Sequence, residues 1–289
     1  MQLSPYPHMA HFQNKNFRTI GSDTPQTCDI NADWWNNYPV QDFDYKFNSW
    51  GYRGIEYKGH LGSKVNICLG DSFTVNVGGP IEHSWPSLLS NHFDIPTLNF
   101  GMMAAGNDAL YFLYKKLIEL FDVQNTFVMY SFMHRRYKNG EFIQDVLSDD
   151  KNNFAYFLNH RIPNAIECAI PGWGHTEQEQ KFFEDRNIFM LDLKKPHYYK
   201  DHVRLVDENR KMYIIKEVYE KLKGNSWPSY TQFCKGADAH EDMYTKGFGK
   251  FLNNLLFHVN RDGHHANKKT NSIYADYCYT QWKEKIDKI

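Results

Sequence analysis

A chain of 289 residues with 42% hydrophobic and 23% charged side chains has the balance of a folded protein, and its length suits one large α/β domain or two small ones. Its 33 Lys and Arg against 34 Asp and Glu leave a formal charge of −1, which provides no strong field to draw it to nucleic acid or an anionic membrane. Five cysteines (Cys28, Cys68, Cys168, Cys234, Cys278) are odd in number, widely spaced and without a C-x-x-C pair; this argues against a disulfide framework or structural zinc and reads as reduced thiols.

The N-terminus has no charged region followed by an apolar run, and no stretch reaches about 18 consecutive apolar residues. The expected location is therefore the cytoplasm, or a virion or host cytoplasm for a phage-encoded protein. Residues 1 to 60 are rich in Asn, Asp, Pro and aromatics without a sustained period, and read as a loop-rich extension packed on a main domain over 61–289. Lys64 to Leu69 is a short apolar run closed by Gly70, as in a buried strand, and Ser84 to Asn91 is a capped helical stretch with Pro86 in its first turn. Thr97 to Phe100 and Thr126 to Tyr130 give further strands, with a helix over Ala109 to Phe121 between them. Strands alternating with helices imply parallel pairing, hence a three-layer α/β/α sheet whose ligand sits at the carboxyl ends of the strands.

The stretch 138–200 holds two short candidate strands, Ala165 to Ile170 and Asn187 to Leu193, among Asn, Pro, Gly and charges, and reads as an insertion or lid. Glu208 to Lys223 has the period of an amphipathic helix, Ser229 to Cys234 of a strand, and helices follow over Thr245 to Phe257 and Asn271 to Ile289.

Two loops carry the residues of nucleophilic catalysis. Gly70-Asp71-Ser72 places a hydroxyl at the turn after a buried strand, where backbone N–H groups lie nearby. By itself the tripeptide also fits a plain polar turn. Asp262-Gly263-His264-His265 offers a carboxylate and an imidazole from one short segment, with Gly263 allowing the tight backbone this needs.

Residues 66 to 78 (NICLGDSFTVNVG), then Asn99-Phe100-Gly101 with Gly106, then Asp262 to His265, resemble the first, second and fifth sequence blocks of SGNH (GDSL-like) hydrolases. The resemblance spans roughly 48 to 137 and 255 to 285. It implies a flavodoxin-like five-stranded parallel sheet and metal-independent, cofactor-free hydrolysis of carboxylic esters through an acyl-enzyme. Carried over by position, it implies Ser72 as nucleophile, His265 as general base and Asp262 as its partner, with the N–H groups of Ser72 and Gly101 in the oxyanion hole.

The third block departs from the family, which has G-x-N-D where this chain reads Ser131-Phe132-Met133-His134-Arg135-Arg136. Asn107 is the nearest substitute donor, and the same residue also suits a helix N-cap. Ser131 and His134 are alternative donors; Asp71 and Arg135 join them as candidate substrate contacts. The expected partner is a small ester or acylated carbohydrate. Acyl transfer with the same triad, or a weakly active or inactive SGNH-like binding or virion structural protein, are the alternatives.

Overall fold

The computed structural model of the chain describes residues 7–20, 43–138, 141–144, 150–172, 175–191, 204–205, 212–213 and 265–288. The first strand of its main sheet is the run that alternates Val65, Ile67 and Leu69 with Asn66 and Cys68, all fully buried, so that β3 (Lys64–Gly70) meets packing on both faces. Before it come a short antiparallel pair, β1 (Asn16–Phe17) and β2 (Tyr45–Lys46). After it come α1 (Ser72–Val75), α2 (Trp85–Ser90), β4 (Thr97–Gly101), α3 (Asn107–Leu120) and β5 (Asp122–Tyr130). The hairpin β6 (Arg135–Lys138) and β7 (Glu141–Gln144) leads to α4 (Asp150–Asn159), β8 (Ile166–Ala169), α5 (Glu177–Glu184) and β9 (Phe189–Met190). The chain closes with a two-residue pair, β10 (Arg204–Leu205) and β11 (Met212–Tyr213), and with α6 (Lys268–Ile286).

Five strands form one parallel sheet in the order β4-β3-β5-β8-β9. Counted in chain order this is 2-1-3-4-5, the flavodoxin-like arrangement. Strand alternation assigns the two covering layers. Val65, Ile67, Leu69, Val128 and Tyr130 pack with Leu110, Leu113 and Leu117 of α3, Phe157 of α4 and Phe182 and Phe183 of α5. Cys68, Phe127, Met129, Ile166 and Cys168 face the other way, onto Trp85 and Leu89 of α2 and Tyr274, Ala275 and Cys278 of α6. Cys68, Cys168 and Cys278 are free thiols.

The connection order reverses at β3, which has β4 on one side and β5 on the other, so the crevice expected to hold a ligand opens at the carboxyl ends of β3 and β5. Within the described residues no helix is long and apolar enough to cross a membrane.

Several elements differ from the reading of the sequence. Within 138–200, β8 and β9 are the fourth and fifth strands of the main sheet and not parts of an insertion. Inside β8 the Glu167 carboxylate is bound by the Arg161 guanidinium and by Tyr130 Oη at 2.8 Å, so an acidic residue is accommodated within the strand. β5 starts at Asp122, four residues before the apolar run, because Asp122 and Val123 pair with Lys64 and Val65 across a bulge. Met212–Tyr213, expected within a helix, pairs as a strand instead, in keeping with its aromatic and β-branched neighbours. Ser229 to Cys234 and Thr245 to Phe257 lie outside the described residues. Trp50, Tyr45 and Phe47 of the N-terminal segment are buried, Trp50 against Tyr57 and Phe121.

Candidate active site

β3 stops at Gly70 because the next turn folds back over it. A Cβ at Gly70 would stand 1.9 Å from Thr74 Oγ1 and 3.1 Å from the Met129 carbonyl, which only a glycine avoids. Asp71 is the N-cap of α1, its Oδ1 accepting the Phe73 N–H at 3.0 Å. The helix lasts one turn and ends at Asn76, which adopts the left-handed conformation with φ 61°. Around Ser72 everything is buried: Asp71, Phe73, Thr74 and Val75 are at most 1% exposed. Ser72 alone in this turn is partly exposed, and its N–H has no acceptor among the described residues.

Three side chains lock this turn in place. Asn99, in the middle of β4, donates through Nδ2 to the Thr74 carbonyl at 3.0 Å. Arg53, 1% exposed, donates through Nη1 to the carbonyls of Val75 at 3.0 Å and Asn76 at 2.8 Å, with its guanidinium 4.3 Å above the Tyr45 ring. Trp85 Nε1 donates to Thr74 Oγ1 at 3.1 Å. None of these was assigned a role in the site from the sequence, although a buried Arg in an aromatic run and an Asn within an apolar strand are each a signal that a polar partner exists.

At the end of β5, Ser131 Oγ donates to Asp71 Oδ2 at 2.6 Å, and Arg135 Nη1 donates to the same oxygen at 3.0 Å and to Ser131 Oγ at 3.1 Å. Asp71 and Ser131 are fully buried and Arg135, 14% exposed in its side chain, stacks 4.3 Å over Phe132. Asp71 and Ser131, expected as substrate contacts, are thus inside a hydrogen-bonded ion pair that joins the ends of β3 and β5. Arg136 is also buried, bonded to Asn153 and stacked 4.0 Å over Tyr156. Arg135 and Arg136 therefore both have partners inside the protein.

Asn107 does not cap α3; Gly106 holds that position and Asn107 is the first helical residue. Its amide grips the Ser131 backbone at both atoms, Oδ1 accepting the N–H at 2.9 Å and Nδ2 donating to the carbonyl at 3.1 Å. The Gly101 N–H, expected in the oxyanion hole, donates to Asn99 Oδ1 at 2.9 Å. Gly101 itself is required by close approach: a Cβ there would lie 2.6 Å from Val75 N and 2.8 Å from Thr74 C.

His134 is 7% exposed, and burial pushes its imidazole below the ordinary 6.5, helped by Arg135, His175 and Arg136 and opposed by Glu179. Glu179 sits 3.5 Å from His175 Nδ1. Burial raises the Glu179 carboxyl, and the contact with His175, the Thr176 N–H and the charge of His134 outweigh it and hold it low. Among the described residues no group of three or more His, Cys, Asp or Glu could hold a metal ion.

His265 is 4% exposed and its ring lies 4.7 Å, centroid to centroid, from Phe73, the residue after Ser72. Sequence-distant as they are, the two segments meet. Asp262 and His264 lie outside the described residues.

No family model matches the chain, and no curated protein does. Solved structures that are similar include a protein assigned to the G-D-S-L lipolytic family from Desulfitobacterium hafniense, with 20% identity, 56% of this chain and 95% of that one covered, and a TM-score of 0.28. The psychrotrophic esterase EstA from Pseudoalteromonas sp. shares 13% identity over 78% of this chain and 98% of its own, with a TM-score of 0.32. A member of the lipolytic G-D-S-L family from Veillonella parvula shares 11% over 58% and 99%, with a TM-score of 0.31.

Proposed function

We propose that the chain is a serine-dependent hydrolase of carboxylic esters, of SGNH type, acting on small acyl or acetyl esters including those on carbohydrate. The observation that carries this reading is Ser72: a partly exposed serine at the first position of a one-turn helix, directly after the carboxyl end of β3, with His265 packed on its neighbour Phe73. In the reaction Ser72 Oγ attacks the ester carbonyl while His265 takes its proton. The tetrahedral adduct collapses as His265 returns that proton to the leaving alkoxide. Water, deprotonated by His265, then releases the acid and restores the serine. Asp262 holds His265 in the required tautomer.

The Ser72 N–H supplies one donor to the oxyanion. Because Gly101, Asn107 and Ser131 already bond to protein groups, His134 is the remaining side-chain donor proposed from the third block. Its lowered pKa keeps it a neutral donor near pH 7. Arg135 borders the same crevice and contacts the substrate beside it.

A fluorophosphonate probe tests the reading, since it reports serine activation whatever the natural substrate. Labelling of the full chain, abolished by Ser72→Ala and by His265→Ala, is the expected result. A folded chain that takes no label between roughly pH 6 and 9, where an ordinary His can act as base, would instead be a binding or structural protein. Nitrophenyl esters of increasing acyl length and acetylated sugars then rank substrates, and product analysis with added acceptor alcohols separates hydrolysis from acyl transfer.

A further inference from the structure

The buried stripe of α6 contains Asn271, Tyr274, Ala275 and Cys278, at i, i+3, i+4 and i+7. Three of these serve the core; the first is an amide, fully buried. Burying an amide is costly unless it is bonded, and Asn271 is bonded in two directions. Its Nδ2 donates to Asn76 Oδ1 at 3.0 Å and to the Ala266 carbonyl at 3.0 Å. Asn76 is the C-cap of α1, the helix that begins with Ser72, and Ala266 directly follows His265. Asn76 is in turn fixed by its own Nδ2, which donates to the Pro80 carbonyl at 2.6 Å.

One planar NH2 group, whose two hydrogens have a fixed angle between them, therefore holds both halves of the site. We infer that Asn271 is a positioning residue: it sets the distance and orientation of His265 relative to Ser72 through Asn76 on one side and Ala266 on the other. This rests on the Ser72–His265 reading above. An apolar residue of the same size would complete the stripe and keep the fold, but would leave the His265 segment free to shift against α1. Misplacement by about 1 Å can cost on the order of 10²-fold in rate.

The experiment measures the rate of Ser72 phosphonylation in the full chain, and the kcat and KM of a nitrophenyl ester, for wild type, Asn271→Leu, Asn76→Gly and the double variant. Glycine retains the left-handed conformation at 76 and removes only the side-chain acceptor and donor. Asn271→Leu is expected to slow phosphonylation and kcat about ten- to a hundredfold with KM changed less than about twofold. Asn76→Gly is expected to lose a comparable amount, and the double variant no more than either alone. If wild type is not phosphonylated, the Ser72 reading fails and takes this inference with it. If wild type reacts and Asn271→Leu reacts at the same rate, or the two losses multiply in the double variant, the positioning role is overturned while Ser72 stands. Should Asn271→Leu not fold, Asn76→Gly decides: an unchanged rate overturns the inference.

Discussion

Ser131 Oγ lies 2.6 Å from Asp71 Oδ2, and this hydrogen bond joins the end of β5 to the residue that precedes Ser72. Arg135 completes the junction from the same β5 connection. Removing the carboxylate strands a guanidinium that is only 14% exposed and frees the Phe73 N–H that Asp71 caps. Asp71→Ala is therefore expected to lower stability by about 3–5 kcal/mol, as for other buried pairs broken from one side. Asp71→Asn, which keeps an acceptor for Phe73, is expected to cost less. Urea unfolding followed by far-UV circular dichroism checks both, and an Asp71→Ala midpoint equal to wild type would show that the junction contributes nothing.

Gly101 is the contact point between β4 and the nucleophile turn. With a methyl group 2.6 Å from Val75 N, the turn must move, because the obstacle is backbone and not a flexible side-chain end. Overpacking of this kind costs about 1–3 kcal/mol. Gly101→Ala is expected to reduce phosphonylation of Ser72 at least tenfold while leaving a folded protein. Wild-type labelling in this variant would mean that the close approach does not govern the position of Ser72.

The sheet was legible where short-range pattern sufficed. The apolar runs at 64–69, 97–100 and 126–130, the Ser84 cap and the periodic helix after Gly106 all reappear as elements. What stayed hidden depends on partners far along the chain. Asn99 reaches a carbonyl 25 residues away, Arg53 carbonyls 22 and 23 residues away, and Asn271 an amide 195 residues away. Local composition cannot reveal such pairings; it shows only that a polar group sits where burial is expected. The same limit hid the ion pair of Arg135, whose counter-charge Asp71 is 64 residues distant. Likewise the neutralisation of Glu167 in β8 by Arg161 became visible only in three dimensions.

Asn107 offers a direct comparison between a structural and a catalytic amide. Its two hydrogen bonds satisfy the Ser131 backbone at the end of β5. Asn107→Ala leaves these groups unpaired in a buried place, at about 1–3 kcal/mol each. The expected outcome is a clear fall in thermal midpoint with less than a tenfold change in phosphonylation rate at a temperature where the variant is folded. A loss of about 10²–10³ with little change in stability would instead mark Asn107 as an oxyanion donor.

The paired shifts of His134 and Glu179 predict the acid limb of stability. His134 titrates at 6.5 when unfolded and lower when folded, chiefly because burial disfavours its cation. Protons therefore bind the unfolded chain more readily, so the contribution is fully present above pH 6.5 and is lost as pH falls through the folded value. Glu179 has the same sign at a lower pH. Its folded value lies below 4.5, so its contribution is present above 4.5 and disappears as pH falls through the folded value. The thermal midpoint should thus begin to drop below about pH 6.5 and drop again below about 4.5. His134→Gln cannot take up a proton in that range and is expected to flatten the first step while retaining the second. Midpoints recorded from pH 7.5 to 4 for both proteins decide this: parallel curves would assign the first step to a group other than His134.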